Sequence, residues 1–139
     1  MKNNLARYLE ETYHNSVSRN CIKIILKSKT DDEYIEKIQQ QITKKIKEII
    51  ELKQSIFVMD QMISFLYFNK DAQVLDGFDE MTSFYEDESN KLCEEVRNKI
   101  KNLHDYIDIL AIAKANIDMN DELVQNEKQL IKLYGEQKK

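Results

Sequence analysis

A chain with no proline and only two glycines in 139 residues has few means of turning sharply. Average usage would supply roughly 7% glycine and 5% proline. Sandwiches, barrels and doubly wound sheets all need many tight turns, so they are excluded. The same composition excludes a collagenous repeat and a glycine-rich phosphate loop, and two cysteines cannot make a disulfide scaffold. Long helices remain. The length suits one domain with a real core, so residues 1–139 are expected to form a single all-helical domain.

Hydrophobic spacing predicts four helices, over about 3–27, 31–68, 72–117 and 121–134. The first carries Leu5, Leu9, Val17, Cys21, Ile24 and Ile25, with a weakly apolar middle. Thr30, followed by Asp31, Asp32 and Glu33, reads as a capping box that opens the second helix. That helix holds a heptad-like seam from Ile35 through Ile49, Ile56 and Ile63 to Leu66, with one polar fault at Lys45. A break follows at Asn69-Lys70-Asp71, and Asp76-Gly77 offers another. The third helix has its own seam, faulted at Thr82, Ser89 and Lys99. Asn120 reads as the cap of a fourth helix bearing Leu123, Val124, Leu130, Ile131 and Tyr134, with Gly135 as its C-terminal cap. The expected architecture is an elongated three- to four-helix bundle built on a long antiparallel coiled-coil-like hairpin.

The hydrophobic content of that hairpin exceeds what one seam needs. Between Ile56 and Phe68, ten of thirteen residues are apolar or aromatic. A helix apolar nearly all round must be covered on several sides. Fold-back of the first helix would set Leu5 opposite residue 55, and fold-back of the fourth would set Tyr134 opposite residue 102. Both would leave residues 56–85 uncovered, unless the segment near Asp76-Gly77 folds back over the tip. Phe57, Met62, Phe65, Phe68, Phe78 and Phe84 are therefore the expected contacts of a protein partner, a homodimer being the first expectation.

Charge narrows the partners. Twenty-one basic and 25 acidic residues give a net charge of −4, without the positive footprint that duplex nucleic acid demands. The cluster Lys44, Lys45 and Lys47 is followed by Glu48 and Glu51 within a turn, as on a solvated helix face. No apolar leader follows Met1, and the apolar run 56–68 is too short and too polar to span a bilayer. Cys21 and Cys93 lack metal-ligand spacing and read as two buried reduced thiols, so a cytoplasmic protein is expected. Only Arg7, Arg19 and Arg97 of the basic residues are arginine, a bias of AT-rich coding sequence shared by low-GC bacteria, phages, plasmids and some large viruses.

Chemistry has few carriers. His14 has no second ligand at metal spacing, and the carboxylates between Glu86 and Glu95 lack the calcium-loop glycine, so neither a metal nor another cofactor is expected. One segment, Arg97-Asn98-Lys99-Ile100-Lys101-Asn102-Leu103-His104-Asp105-Tyr106, resembles the Arg-x(4–6)-His motif of HEPN-domain ribonucleases. Asparagine after the arginine and tyrosine two past the histidine also recur in that family. The resemblance spans these ten residues. It implies a small, usually dimeric, metal-independent ribonuclease with Arg97, His104 and Tyr106 at its site. Seven residues is nearly two helical turns, so Arg97 and His104 share a face, where histidine could exchange a proton and arginine stabilise phosphorane-like charge. The leading expectation is nonetheless a non-enzymatic adaptor, inhibitor or regulator acting through the apolar hairpin, and the HEPN-like ribonuclease is the alternative.

Overall fold

The computed structural model describes residues 2–137. These form α1 (Lys2–Thr12), α2 (Ser16–Lys27), α3 (Asp31–Phe68), α4 (Lys70–Gln73) and α5 (Phe78–Gln137). No strand occurs among the described residues. The chain is an all-α helical bundle in which α3 packs against α5.

The start of α3 follows the expected chemistry with a small displacement. The Thr30 hydroxyl accepts from the Glu33 amide at 3.1 Å, while the Glu33 carboxylate accepts from the Lys29 amide at 2.7 Å. That carboxylate sits below the usual range chiefly because of this backbone hydrogen bond.

Two boundaries differ from expectation. The first predicted helix is two, because Asn15 leaves the helical region at φ −136° and ψ 175° and caps α2. Its side chain accepts from the Ser18 amide at 2.8 Å, and the Ser18 hydroxyl accepts from the Asn15 amide at 3.2 Å. At the other end, the third and fourth predicted helices are one, and α5 passes through both Asn120 and Gly135. Asparagine inside a helix costs only about 0.7 kcal/mol relative to alanine, too little to stop one without a competing cap. The side chains of Leu123, Val124 and Tyr134 lie outside the described residues.

The helices sort into two compact units. The first comprises Met1–Gln41 with Asp105–Lys139. Leu9 of α1, Cys21 and Ile25 of α2, Tyr34 and Ile38 of α3, and Ile109 and Ala113 of α5 form its buried core. Each large apolar side chain buried there contributes about 1.5–3 kcal/mol. Lys2 donates to the carbonyls of Leu26 at 3.2 Å and Ser28 at 2.8 Å, so α1 runs back along α2. Leu5 is consequently buried in this unit and not opposite residue 55. Asn20 donates to the buried Tyr106 hydroxyl at 2.8 Å, and Asn15 to Asp105 at 3.3 Å.

The second unit, Ile42–His104, is a helical hairpin. Tyr67 donates to Glu86 at 2.7 Å, Ser89 to Asp60 at 3.2 Å and Lys99 to Glu48 at 2.9 Å, which fixes the two helices antiparallel. Ile49 and Leu66 of α3 and Val96 of α5 are buried along the seam. The polar faults in the seam are satisfied there. Glu48 lies within 2.9 Å of Lys99 and 3.6 Å of Lys45, and the buried Thr82 hydroxyl donates to the Asp79 carbonyl at 3.0 Å. At the reversal, Asn69 caps α4 and Gly77 adopts φ 83°.

Two outcomes follow from these contacts. A Cβ on Gly77 would meet only the Glu80 carboxylate at 3.9 Å, so the cost of Gly77→Ala is conformational. Denaturant unfolding should show a loss of about 1–2 kcal/mol, with Gly77→Asn less affected because asparagine tolerates this region. The hydrogen bond from Lys99 is the main cause holding the Glu48 carboxyl below its usual range. A carboxyl depressed on folding stabilises at neutral pH, and that stabilisation is lost as pH falls through and below about 4. Glu48→Gln should therefore cost roughly 0.2–1 kcal/mol at pH 7, the range for exposed pairs, and the gap from the parent protein should narrow as pH falls below about 4.

Candidate functional site

The seam occupies one side of α3, and the opposite side determines what the second unit can do. Helical spacing places Ile46, Ile50, Phe57, Phe65 and Phe68 on that outward side. Phe57 is 65% exposed, Phe65 64% and Phe68 88%. From α5, Phe84 adds a ring that is 58% exposed. Within the second unit only α5 packs along α3, and it covers the seam side.

The reversal does not roof this surface. Val74 and Leu75, which a fold-back over the tip would bury, are themselves exposed. Ala72 is buried, and the Gln73 side chain donates to the Tyr67 carbonyl at 2.6 Å, which closes the turn on itself. Phe78 is half-buried and meets Tyr67 edge-on, with ring centroids 6.0 Å apart. Of the six expected contact residues, Phe57, Met62, Phe65, Phe68 and Phe84 are exposed and Phe78 packs within the hairpin.

Two shallow apolar grooves flank Val58. One, of about 440 Å³, is lined by Ile50, Lys53, Gln54, Phe57 and Val58. The other, of about 380 Å³, is lined by Val58, Gln61, Met62, Phe65 and Leu66 of α3 with Met81 and Tyr85 of α5. Ile46, Ile50 and Val58 are members of this surface that reading the seam alone overlooks. Ile50 stands next to the seam residue Ile49, and its spacing from Ile46 and Phe57 is the signal for a second apolar stripe.

Charge divides along the hairpin. Lys44, Lys47 and Lys53 are exposed with Glu51 toward one end of the stripe, and Asp71, Asp76, Asp79 and Glu80 are exposed with Lys70 around the tip at the other, so the first end is net positive and the second net negative. Among the described residues, none of these nine enters an intramolecular ion pair.

Arg97 is exposed and lies 3.5 Å from Glu94, one turn earlier on α5. His104 is also exposed, on the same side of the helix. Tyr106 is about 200° further round α5, and its ring is buried in the first unit with its hydroxyl engaged by Asn20. Arg97 and His104 line neither groove of the hairpin, nor the cavity of about 390 Å³ between Leu5, Tyr8, Ile112 and Met119 in the first unit. His14 is exposed. Among the described residues, no three His, Cys, Asp or Glu side chains are grouped to hold a metal, and no helix is long and apolar enough to cross a membrane. Both cysteines are free thiols. Burial pushes the Cys21 thiol up to about 12, whereas Cys93, expected to be buried, is only half-buried beside the seam.

Comparison of the chain with protein-family models, curated proteins and solved structures finds no match.

Proposed function

We propose that this chain is a non-enzymatic cytoplasmic interaction protein, an adaptor, inhibitor or regulator, that binds protein through the outward face of α3. The observation that carries this reading is the contiguous set of exposed rings at Phe57, Phe65 and Phe68 beside two apolar grooves. Apolar patches of this extent on a soluble chain mark interaction surfaces. Phenylalanine and methionine are the residue types that interface centres favour, and methionine adapts to an irregular partner. The net charge of −4 and the acidic tip oppose a nucleic-acid partner.

The test is a paired substitution away from the seam. Phe57→Asp with Phe68→Asp should abolish association and the binding of a hydrophobic dye while leaving circular dichroism unchanged, because neither ring supports the hairpin. Each ring buried in a complex contributes about 1.5–3 kcal/mol, so loss of both should be decisive in sedimentation. A parent protein that neither associates nor binds dye would refute the reading. Cleavage of labelled RNA, lost in both Arg97→Ala and His104→Ala, would replace it with the ribonuclease.

A further inference from the structure

We propose that the occupant of this face is a second copy of the same chain, lying antiparallel across α3 with a two-fold axis beside Phe57. This rests on reading the outward face of α3 as a protein-binding surface, and adds the partner, its direction and its register.

The pattern of exposed residues is nearly palindromic. An axis beside Phe57 sets Ile46 opposite Phe68 of the second copy and Ile50 opposite its Phe65, and the two-fold repeats each pair. Phe57 then meets its own equivalent at the centre. The two grooves on either side of Val58 exchange places under this operation. Phe65 from the second copy reaches the groove lined by Ile50 and Phe57, which has room for a ring at about 440 Å³. Lys53, within the stripe, lies opposite Gln61 and Met62, along which its methylene stem can run with the ammonium in water.

Charge selects the direction. In this register Lys44 falls opposite Lys70 and Lys47 opposite Tyr67 of the other copy. Around that tip, however, the exposed carboxylates of Asp71, Asp76, Asp79 and Glu80 outnumber Lys70, so Lys44 and Lys47 meet a net negative surface. A parallel pair would stack the lysines on lysines and the carboxylates on carboxylates, and like-charge juxtaposition of this kind works against association.

Area is sufficient. With rings of about 150–250 Å² each and somewhat smaller aliphatic side chains, the exposed parts of Ile46, Ile50, Phe57, Phe65 and Phe68 amount to roughly 700 Å². A standard stable interface takes about 800 Å² from each partner. Contacts from Met81 and Phe84 of α5, both exposed beside the second groove, make up the difference.

The experiment uses the full chain with Cys93→Ser, so that the buried Cys21 is the remaining native thiol. Phe57→Cys, Ile46→Cys and Phe68→Cys are made separately and treated with a short bis-maleimide. The expected result is that Phe57→Cys links to itself. Ile46→Cys and Phe68→Cys should link efficiently only when mixed. Self-linking of both Ile46→Cys and Phe68→Cys would mean a parallel pair and overturns the proposal. Because a new cysteine can weaken the interface it probes, sedimentation equilibrium on charge variants gives a second measure. Lys44→Glu with Lys47→Glu should weaken dimerisation by roughly tenfold, and adding Asp71→Lys with Glu80→Lys should restore it. Absence of that rescue counts against the register. A parent protein that is monomeric yet binds hydrophobic dye overturns the second copy as occupant and leaves the protein-binding face standing. A monomer that binds no dye overturns both.

Discussion

Two helices laid side by side can each cover only one side of the other, and the second unit is built of little more than two helices. Its α3 is apolar on the covered side and also on the opposite one. The seam accounts for Ile49 and Leu66, and nothing else in the unit covers Phe57, Phe65 or Phe68. This geometric limit, set by helix diameter and not by any particular residue, is why the exposed rings point to function. The first unit escapes it because α1 and α2 double back, bringing four helical segments around Leu9, Ile38 and Ile109.

The hairpin is held in register by polar crossings more than by its apolar seam. Apolar side chains at regular spacing can slide by one heptad with modest loss, whereas Glu48 finds Lys99, and Asp60 finds Ser89, in only one alignment. The lysine and serine that interrupt the apolar pattern are thus its most specific members. Their pairing costs some hydrophobic burial and excludes neighbouring registers, a trade known from single polar residues in helical seams.

Much of this fold was legible in the chain. The scarcity of glycine and proline led to helices, and Thr30 with Glu33 located the start of α3 because capping leaves a local chemical signature. The break at Asn15 was harder, since asparagine and serine form the same reciprocal cap with a less familiar residue pair. The expected stop at Asn120 failed for the converse reason, a capping residue type without a competing local structure to stabilise. The exposed rings could be counted from composition, but the contribution of Ile46 and Ile50 was concealed by their proximity to the seam. That Tyr106 is buried while His104 is exposed depends on where α2 packs, which no spacing within α5 reveals.

The chain order of the two units gives the turn at Gly77 a wider reach. The first unit is discontinuous, with some sixty residues between its two parts. Closing a flexible loop of that length would cost about 4 kcal/mol in chain entropy before any core contact formed. The hairpin removes most of that cost, because its helices pair among neighbours in sequence and return the chain within one contiguous stretch. Contacts local in sequence thereby shorten the loop that the discontinuous core has to close. A glycine at φ 83° consequently influences the assembly of Leu9, Ile38 and Ile109 through the entropy of the chain between them, without touching any of the three.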